Sequence, residues 1–489
     1  MMRFSTRARA FVWLLLVLIQ ISTGCRSYYR QMGAVRYSFY QNDLIKAESS
    51  LQKVREKRNN GKSDDLICLE TATLKMCAGD FREAERLLRK TRDSFDRLEN
   101  QKARKAGETT LSMLSDDMAI SYAGEDYEKI MIRAMLAISS LMMDGSDAVA
   151  YSNQINLKQQ EIISKSEINP DTGKKSKESY RFVSLGPYIR GILNDASALN
   201  QQEVIRSFTQ VCEWSPNFYG GKEYLERAKQ GYRPQKGHGV VHVFLLLGEG
   251  PHKVEVDAPV TQMSLLLADQ IVSATSKHSV PPTFASVPIA AVLDTPCPYE
   301  SADVLINGTK RAQTETLVDV NRMAVEQFEV NKPWIIARAV ARRVVKKATV
   351  YGAKEATDTD SFTGELLFDI AGLMWEAAEE ADTRCWSTLP GKIQVARLEL
   401  PAGRHQISLT PNTRPYIPPN AQRYVPGVSV AWEGGNSPSG PPHEKNSRAT
   451  PGGKTIQVED GRDTFVFAYI ARDGLIGDIH VGEAGSCPF

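Results

Sequence analysis

The first half of the chain, residues 25–235, places hydrophobic residues at the spacing of one helix face. After a break at Asn42-Asp43 they recur at i, i+3, i+7 and i+10, and the same order returns 37 residues later, after Gly79-Asp80. The two sets are Leu44, Ala47, Leu51, Val54 and Phe81, Ala84, Leu88, Thr91. Each break joins a residue that tolerates the left-handed conformation to an acidic residue that suits a helix start. The pattern predicts an all-α section built of helical hairpins.

Within each set a small residue is followed one turn later by a bulky one, which is similar to the second helix of a tetratricopeptide repeat. Two later segments have related spacing: Ala148, Tyr151, Ile155 after Gly145, and Val204, Phe208, Val211 before Pro216. Because the distances between these segments are irregular, we expect divergent repeats. A generic bundle of helical hairpins is the alternative, since amphipathic faces are equally expected there.

The second half, residues 236–489, changes to the pattern of strands. Val240–Leu247 is a β-branched and aliphatic run that predicts a strand, and Asn307-Gly308 predicts a hairpin turn. Two helices should interrupt the strands, one from Trp334 to about Tyr351 and one over Glu365–Ala381. Strands are also predicted at Ile289–Leu293, Val304–Ile306, Ile393–Leu400, His405–Leu409, Thr455–Val458 and Thr464–Ala471. Residues 434–454 are rich in Gly, Pro and Ser and predict a loop. The expected class is therefore α+β with more than one domain, an all-α section followed by antiparallel strands with two helices.

The first 24 residues have the layout of a secretory signal, with three arginines, the apolar run Ala10–Ile19 and small residues before Cys25. The run is about half the roughly 20 apolar residues that a membrane-spanning helix needs. Cys25 directly after Gly24 resembles the bacterial lipobox, which predicts cleavage before Cys25 and acylation of its thiol. Arg26 favours the outer membrane, facing the periplasm, by analogy with sorting in enteric bacteria. An ordinary cleaved signal and an uncleaved anchor are the alternatives.

Composition is that of a globular protein, with 42% hydrophobic and 24% charged residues in 489. The net charge of the whole chain is +2, and loss of the three signal arginines gives −1, so no nucleic-acid partner is expected. Besides Cys25 there are six cysteines, which in an oxidising compartment allow up to three disulfides. Cys68 and Cys77 fall about 13 Å apart on one predicted helix, so we do not expect them to pair.

One segment carries a family resemblance. Asp382-Thr383-Arg384, Trp386, Leu389-Pro390, Ala396-Arg397 and the residues Pro401, Gly403 and His405, with Gly248-Glu249-Gly250 upstream, resemble a bacterial family of tetratricopeptide-containing outer-membrane lipoproteins. The resemblance implies an envelope lipoprotein in the company of other cell-wall lipoproteins. It implies no catalytic residue, because the family has no assigned activity.

The candidate site residues have a structural and a functional interpretation. Asp382, Arg384, Trp386, Arg397 and His405 are either an interaction surface or a structural motif in which Asp382 pairs with an arginine. Arg338, Arg342 and Lys346 recur every four residues and form either a basic face for anionic lipid or wall polymer, or a solvated helix face.

No cofactor is predicted, since the chain contains no phosphate-binding loop, dinucleotide fingerprint or zinc-protease motif. No metal site is predicted either, although His238 and His242 are four residues apart, because no Glu accompanies them.

Three functions fit these features. The first is a scaffold that is anchored to the membrane by its lipid and binds an envelope protein through the helical repeats. The second is an enzyme acting on wall polymer or lipid, with its site near Asp382, Arg384 and His405. The third is a subunit of an export or surface-assembly complex.

Overall fold

The computed structural model describes residues 28–57, 64–105, 122–166, 168, 173–195, 198–275, 280, 285–356, 381–413 and 453–482. It is about 50% helical and 26% strand, with antiparallel sheets in the C-terminal region, which confirms the predicted α+β class. The signal, Cys25, the predicted helix from Glu365 onward and nearly all of the loop at 434–454 lie outside the described residues.

The described α-helices follow one another in the first half, and two more lie among the strands. They are α1 (Tyr28–Gln31), α2 (Gly33–Tyr40), α3 (Leu44–Lys57), α4 (Asp65–Cys77), α5 (Phe81–Lys105), α6 (Asp126–Leu141), α7 (Ala148–Ser164), α8 (Leu185–Asp195), α9 (Gln201–Trp214), α10 (Tyr219–Lys229), α11 (Gln262–Thr275) and α12 (Val320–Ala356). Each helix from α4 to α10 packs against the next, which is the arrangement of helical hairpins.

The predicted helix breaks are present. Asn42 and Gly79 have φ of 60° and 83°, the left-handed conformation that ends a helix. The carboxylates that follow cap the next helix, since Asp43 accepts a hydrogen bond from the Lys46 N–H at 2.9 Å and Asp80 accepts one from the Glu83 N–H at 3.1 Å. Local chemistry therefore sets the hairpin ends, as the sequence predicts.

These helices form two rows. The inner row is α4, α6 and α8, and every residue of α6 from Tyr127 to Leu141 is buried. The outer row is α5, α7 and α9, and each of its helices buries only one face. On α5 that face is the predicted set Phe81, Ala84, Leu88 and Thr91. An inner row whose central helix is buried on all sides needs a second covering layer, which the C-terminal half supplies.

The strands form three sheets. They are β1 (His238–Glu249), β2 (His252–Ala258), β3 (Val287–Leu293), β4 (Ser301–Ile306), β5 (Thr309–Gln313), β6 (Glu315–Asp319), β7 (Pro390–Pro401), β8 (Gly403–Asn412), β9 (Lys454–Val458), β10 (Asp463–Ala471) and β11 (Gly474–Val481). The five-stranded sheet has the order β11-β10-β1-β7-β6, the four-stranded sheet β5-β4-β8-β9, and β2 pairs with β3. Pairing in these sheets is antiparallel except between β1 and β10, which are parallel.

The central strand β1 explains the three-layer architecture. Phe244 and Leu246 point to the core shared with the helices, whereas Val241, Val243 and Leu245 point to the core shared with the four-stranded sheet. Because both faces of β1 are covered, its sequence is a continuous apolar run rather than an alternating one. The five-stranded sheet is thus the middle layer between the inner row of helices and the four-stranded sheet.

The Asn307-Gly308 turn is confirmed, with φ of 52° and 78° between the paired residues Ile306 and Thr309. The predicted start of the first C-terminal helix is wrong. Helix α12 begins at Val320, where Asp319 accepts a hydrogen bond from the Arg322 N–H at 2.9 Å, and Pro333 lies inside it. A capping carboxylate earlier in the chain therefore starts this helix, and the helix continues through the proline.

Helix α11 was not predicted, because its section of the chain was expected to be rich in strands. Thr261 and Ser264 cap its N-terminus reciprocally, since the backbone N–H of each residue donates to the hydroxyl of the other, at 2.9 and 3.2 Å.

The expectation of disulfides finds no support among the described cysteines, which are all free: Cys68, Cys77, Cys212, Cys297 and Cys385.

Candidate functional site at the junction of helices and sheet

The segment 382–389 crosses the junction between the inner row of helices and the sheet, just before β7. Trp386 is its largest buried side chain, with 1% of its surface exposed. The indole N–H donates to the hydroxyl of Thr73 on α4 at 3.0 Å, so the only polar atom of this side chain is satisfied. The segment of the family resemblance is therefore an internal contact between the two halves of the chain.

Glu70 on α4 binds the backbone of this segment. Its Oε1 accepts from the N–H and hydroxyl of Ser387 at 2.7 and 2.8 Å, and its Oε2 accepts from the N–H and hydroxyl of Thr388 at 3.0 and 2.6 Å. The side chain of Glu70 is fully buried, and burial raises its pKa above the usual range. Four donors of the segment, together with the Tyr28 hydroxyl at 3.4 Å, compensate for the cost of burying this carboxylate.

Glu128 on α6 binds the preceding residue. Its Oε1 accepts from the N–H of Trp386 at 2.6 Å, and its Oε2 accepts from the N–H of Glu125 at 2.9 Å and from the Tyr122 hydroxyl. Burial first, and then the nearby charge of Glu125, raise the pKa of Glu128 to about 7. Three consecutive backbone N–H groups, of residues 386–388, thus donate to two buried carboxylates from neighbouring inner helices.

A third carboxylate links the halves in the opposite direction. Glu315 on β6 accepts from the N–H groups of Tyr219 at 2.5 Å and Gly220 at 2.9 Å, so a sheet residue caps the first turn of helix α10. Burial raises its pKa to about 7. Glu70, Glu128 and Glu315, which we call the junction carboxylates, therefore join helices and sheet through hydrogen bonds to backbone rather than through ion pairs.

The predicted pair of Asp382 with an arginine is present. Arg384 donates to both carboxylate oxygens of Asp382, each at 2.8 Å, in a bidentate geometry. Although burial acts to raise it, Arg384 and Lys253 together lower the pKa of Asp382. Lys253 on β2 also forms an ion pair with Glu125. These charges neutralise one another and hold the start of the segment in place.

The remaining motif residues do not join this group. Arg397 lies on β7, where its guanidinium is 5.9 Å from the ring centre of Tyr224 and 4.0 Å from the carboxylate of Glu399. His405 lies on β8 in the four-stranded sheet, and its Nε2 is 2.8 Å from the Pro401 carbonyl. The structure does not group His405 with Asp382 and Arg384, because the turn after β7 carries His405 onto the four-stranded sheet.

The basic stripe on α12 is not a uniform surface. Arg338 is exposed, Arg342 is half-buried, and the side chain of Lys346 lies outside the described residues. Arg343, beside them, donates to the Ser286 carbonyl at 3.2 Å. The buried face of the helix carries Ile336, Ala339 and Val340, so Arg338 lies on a solvated side opposite an apolar one.

A groove of about 360 Å³ opens on the outer row, between α5 and α7 with α6 at its floor. Its lining residues are Arg92, Asp93, Asp96, Arg133, Gln154, Leu157, Lys158 and Glu161. Leu157 is 61% exposed in this charged surrounding. The sequence patterns predicted neither this groove nor the junction carboxylates. A signal for Glu70 existed, since it is the only charged residue in the segment Leu66–Leu74.

The described residues contain no group of three or more His, Cys, Asp or Glu side chains arranged to hold a metal ion. His242 contacts Asp463 at 3.3 Å and stacks on Phe465.

Among the residues that the structure describes, no helix has the length and hydropathy needed to cross a membrane. Comparison with protein-family models, with curated proteins and with solved structures found no match.

Proposed function

We propose that the protein is a lipid-anchored scaffold of the bacterial cell envelope, and that it binds a partner protein on the outer row of its helices. The observation that carries this proposal is the division of the helices into a covered inner row and an exposed outer row. Stacked helical hairpins offer extended binding surfaces. Since the chain's own sheet covers the inner row, the outer row is the surface that a partner reaches.

The junction supports a scaffold rather than a catalyst. The junction carboxylates Glu70, Glu128 and Glu315 all accept hydrogen bonds from backbone N–H groups, and Asp382 is neutralised by Arg384. Groups held in this way brace two halves of a chain against each other. A rigid body with an accessible helical surface is what a binding scaffold needs.

The anchor in this proposal is an acylated Cys25, and the fold begins close to it. Tyr28 in α1 is 1% exposed, and its hydroxyl is 3.4 Å from Glu70. Only Arg26 and Ser27 separate Cys25 from Tyr28, so the anchor holds the folded body within roughly 10 Å of the lipid headgroups. We place the anchor in the outer membrane and the body in the periplasm, as the resemblance to tetratricopeptide-containing lipoproteins implies.

The test is crosslinking in intact cells, followed by purification of the protein and identification of what is attached to it. Leu157→Asp places a charge in the outer groove, and Leu266→Asp on α11 is the matched control because Leu266 is 63% exposed. We expect the wild type and Leu266→Asp to recover the same envelope protein and Leu157→Asp to lose it. Recovery of that partner by all three proteins, or by none, would contradict the proposed binding surface.

The anchor has a separate test in the same cells. Cys25→Ser removes the thiol, so the protein should leave the membrane fraction and keep its ability to bind the partner after lysis. A Cys25→Ser protein that still fractionates with membranes would contradict lipid anchoring.

A further inference from the structure

In the outer groove, positive and negative side chains lie at different depths. Lys158 and Arg133 are only 3% and 6% exposed, whereas Asp93, Glu161 and Asp96 are 63%, 38% and 34% exposed. The formal charges of the lining residues cancel, but Lys158 and Arg133 form the floor, Arg92 is 19% exposed beside Asp93, and the carboxylates form the rim. Among the lining charges, the carboxylates are therefore the groups most accessible from solvent.

Carboxylates of the protein itself hold the floor cations. Lys158 Nζ lies 3.0 Å from Asp96, 3.1 Å from Glu161 and 2.5 Å from Glu99. Arg133 donates to both oxygens of Asp96 at 2.9 and 2.7 Å. These cations are nearly buried and already paired, so they offer little to an external anion.

Glu161 on the rim and Glu99, which contacts the floor residue Lys158, keep their charge at neutral pH. Although burial acts to raise it, Lys158 and Lys165 lower the pKa of Glu161. Burial also acts to raise the pKa of Glu99, yet Lys129 and Lys158 lower it to about 2. Asp93 is the most exposed of the rim carboxylates, and its described ion pair is with the neighbouring Arg92.

Leu157 adds an apolar contact to this acidic surface. It lies on α7 beside Lys158 and within reach of the same groove. An exposed leucine that shares a groove with three carboxylates fits a ligand that carries an aliphatic group next to a cation. Phosphate-bearing ligands, such as anionic lipid headgroups or nucleic acid, do not fit, because the rim repels them.

We infer that this groove binds a basic segment of a partner protein, in which a lysine or arginine contacts Asp93 and Glu161 while an adjacent aliphatic side chain packs on Leu157. The inference rests on the proposed function and names the chemistry of its partner. It requires no covalent step and no cofactor.

The test measures binding of a short fluorescent peptide containing lysine and leucine to the purified full-length protein in a non-ionic detergent, by fluorescence anisotropy. The same peptide with glutamate in place of lysine is the opposite-charge probe. The double variant Asp93→Asn, Glu161→Gln neutralises the rim. Glu223→Gln on α10 is the control, because Glu223 is 64% exposed and pairs with Arg227, as Asp93 pairs with Arg92.

We expect the lysine peptide to bind and the glutamate peptide not to bind. The double variant should weaken binding by about 2- to 25-fold, the combined effect of two exposed charge pairs. Glu223→Gln should leave it unchanged. Raising the salt from 0.1 to 1 M shortens the Debye length from about 10 to about 3 Å and should weaken wild-type binding. Thermal melting checks that each variant is folded.

Three results would overturn the inference: no binding of the lysine peptide, equal binding of the glutamate peptide, or the same loss in Glu223→Gln as in the double variant. The last would mean attraction to overall charge rather than to the groove. None of these results changes the outcome of the crosslinking test. If Leu157→Asp no longer recovers the partner in that test, the outer row is still established as the binding surface. The two proposals therefore fail separately.

Discussion

Replacement of Glu70 by glutamine tests the junction most directly, because it changes one atom of a buried acceptor. Each oxygen of Glu70 accepts from one backbone N–H and one hydroxyl of the segment 382–389. In Glu70→Gln an amide NH₂ replaces one of these oxygens. The hydroxyl facing it can rotate and accept, but the backbone N–H cannot, so one buried donor is left without a partner.

The expected loss of stability follows from these bonds. An unsatisfied buried N–H costs about 1–3 kcal/mol, and the bonds that remain lose roughly 1 kcal/mol because the acceptor no longer carries a charge. We therefore expect Glu70→Gln to lower the free energy of unfolding by about 2–4 kcal/mol. The pKa of Glu70 is raised in the folded protein, so the wild type gains stability as the pH falls and the glutamine variant does not. The difference between the two proteins should therefore be larger at low pH than at neutral pH.

Urea unfolding followed by far-ultraviolet circular dichroism measures this loss. The matched control is Glu48→Gln on α3, a glutamate that is 54% exposed and paired with Lys75, where about 0–1 kcal/mol is expected. A double-mutant cycle with Thr388→Val should give a coupling energy of about 0.5–3 kcal/mol. A Glu70→Gln protein no less stable than Glu48→Gln would refute the role of Glu70 at the junction.

Three further predictions concern the same interface. Because the folded-state pKa of Glu128 is about 7 against 4.5 when exposed, its stabilising contribution is fully present below pH 4.5 and is lost as the pH rises through 7. Stability measured from pH 5 to 8 should therefore fall less steeply in Glu128→Gln than in the wild type, and equal slopes would contradict this. Trp386→Ala should lower the free energy of unfolding by about 3–5 kcal/mol in the same urea assay, and a loss under 1 kcal/mol would mean that the indole is not buried. Gly477→Ala should lower the melting temperature more than Gly461→Ala does. Both glycines have φ of 70°, but a Cβ on Gly477 would lie 1.9 Å from the Cys77 carbonyl oxygen, whereas one on Gly461 meets open space. Equal melting temperatures for the two variants would show that this close approach is relieved without cost.

Local patterns predicted the parts of the fold that local chemistry determines. The left-handed residues Asn42 and Gly79, the capping carboxylates after them and the Asn307-Gly308 turn act over a few residues. The continuous apolar run of β1 likewise follows from its burial on both faces. Such features can be read from a short window of sequence because their cause lies inside that window.

The junction could not be predicted in this way. Glu70 and Ser387 are 317 residues apart, and nothing near either one indicates the other. The predicted start of α12 at Trp334 is wrong because Pro333, a residue typical of a helix start, lies inside a helix that packing maintains. His405 was grouped with Asp382 because they are close in sequence, yet the turn after β7 puts them on different layers. Contacts between distant parts of the chain determine all three features. A short window of the sequence does not show such contacts.

The parallel pairing of β1 with β10 has a consequence for the order of events during synthesis. More than 200 residues separate Val240 from its partner Asp463, so the middle layer closes only when nearly the whole chain has emerged. Until then the inner helices have no cover, and their apolar faces are open to misassembly or to a chaperone. The groove-bearing outer row is therefore available to fold early and the strand that closes the middle layer only late, so the sheet is complete only once the hairpin β10–β11 has formed.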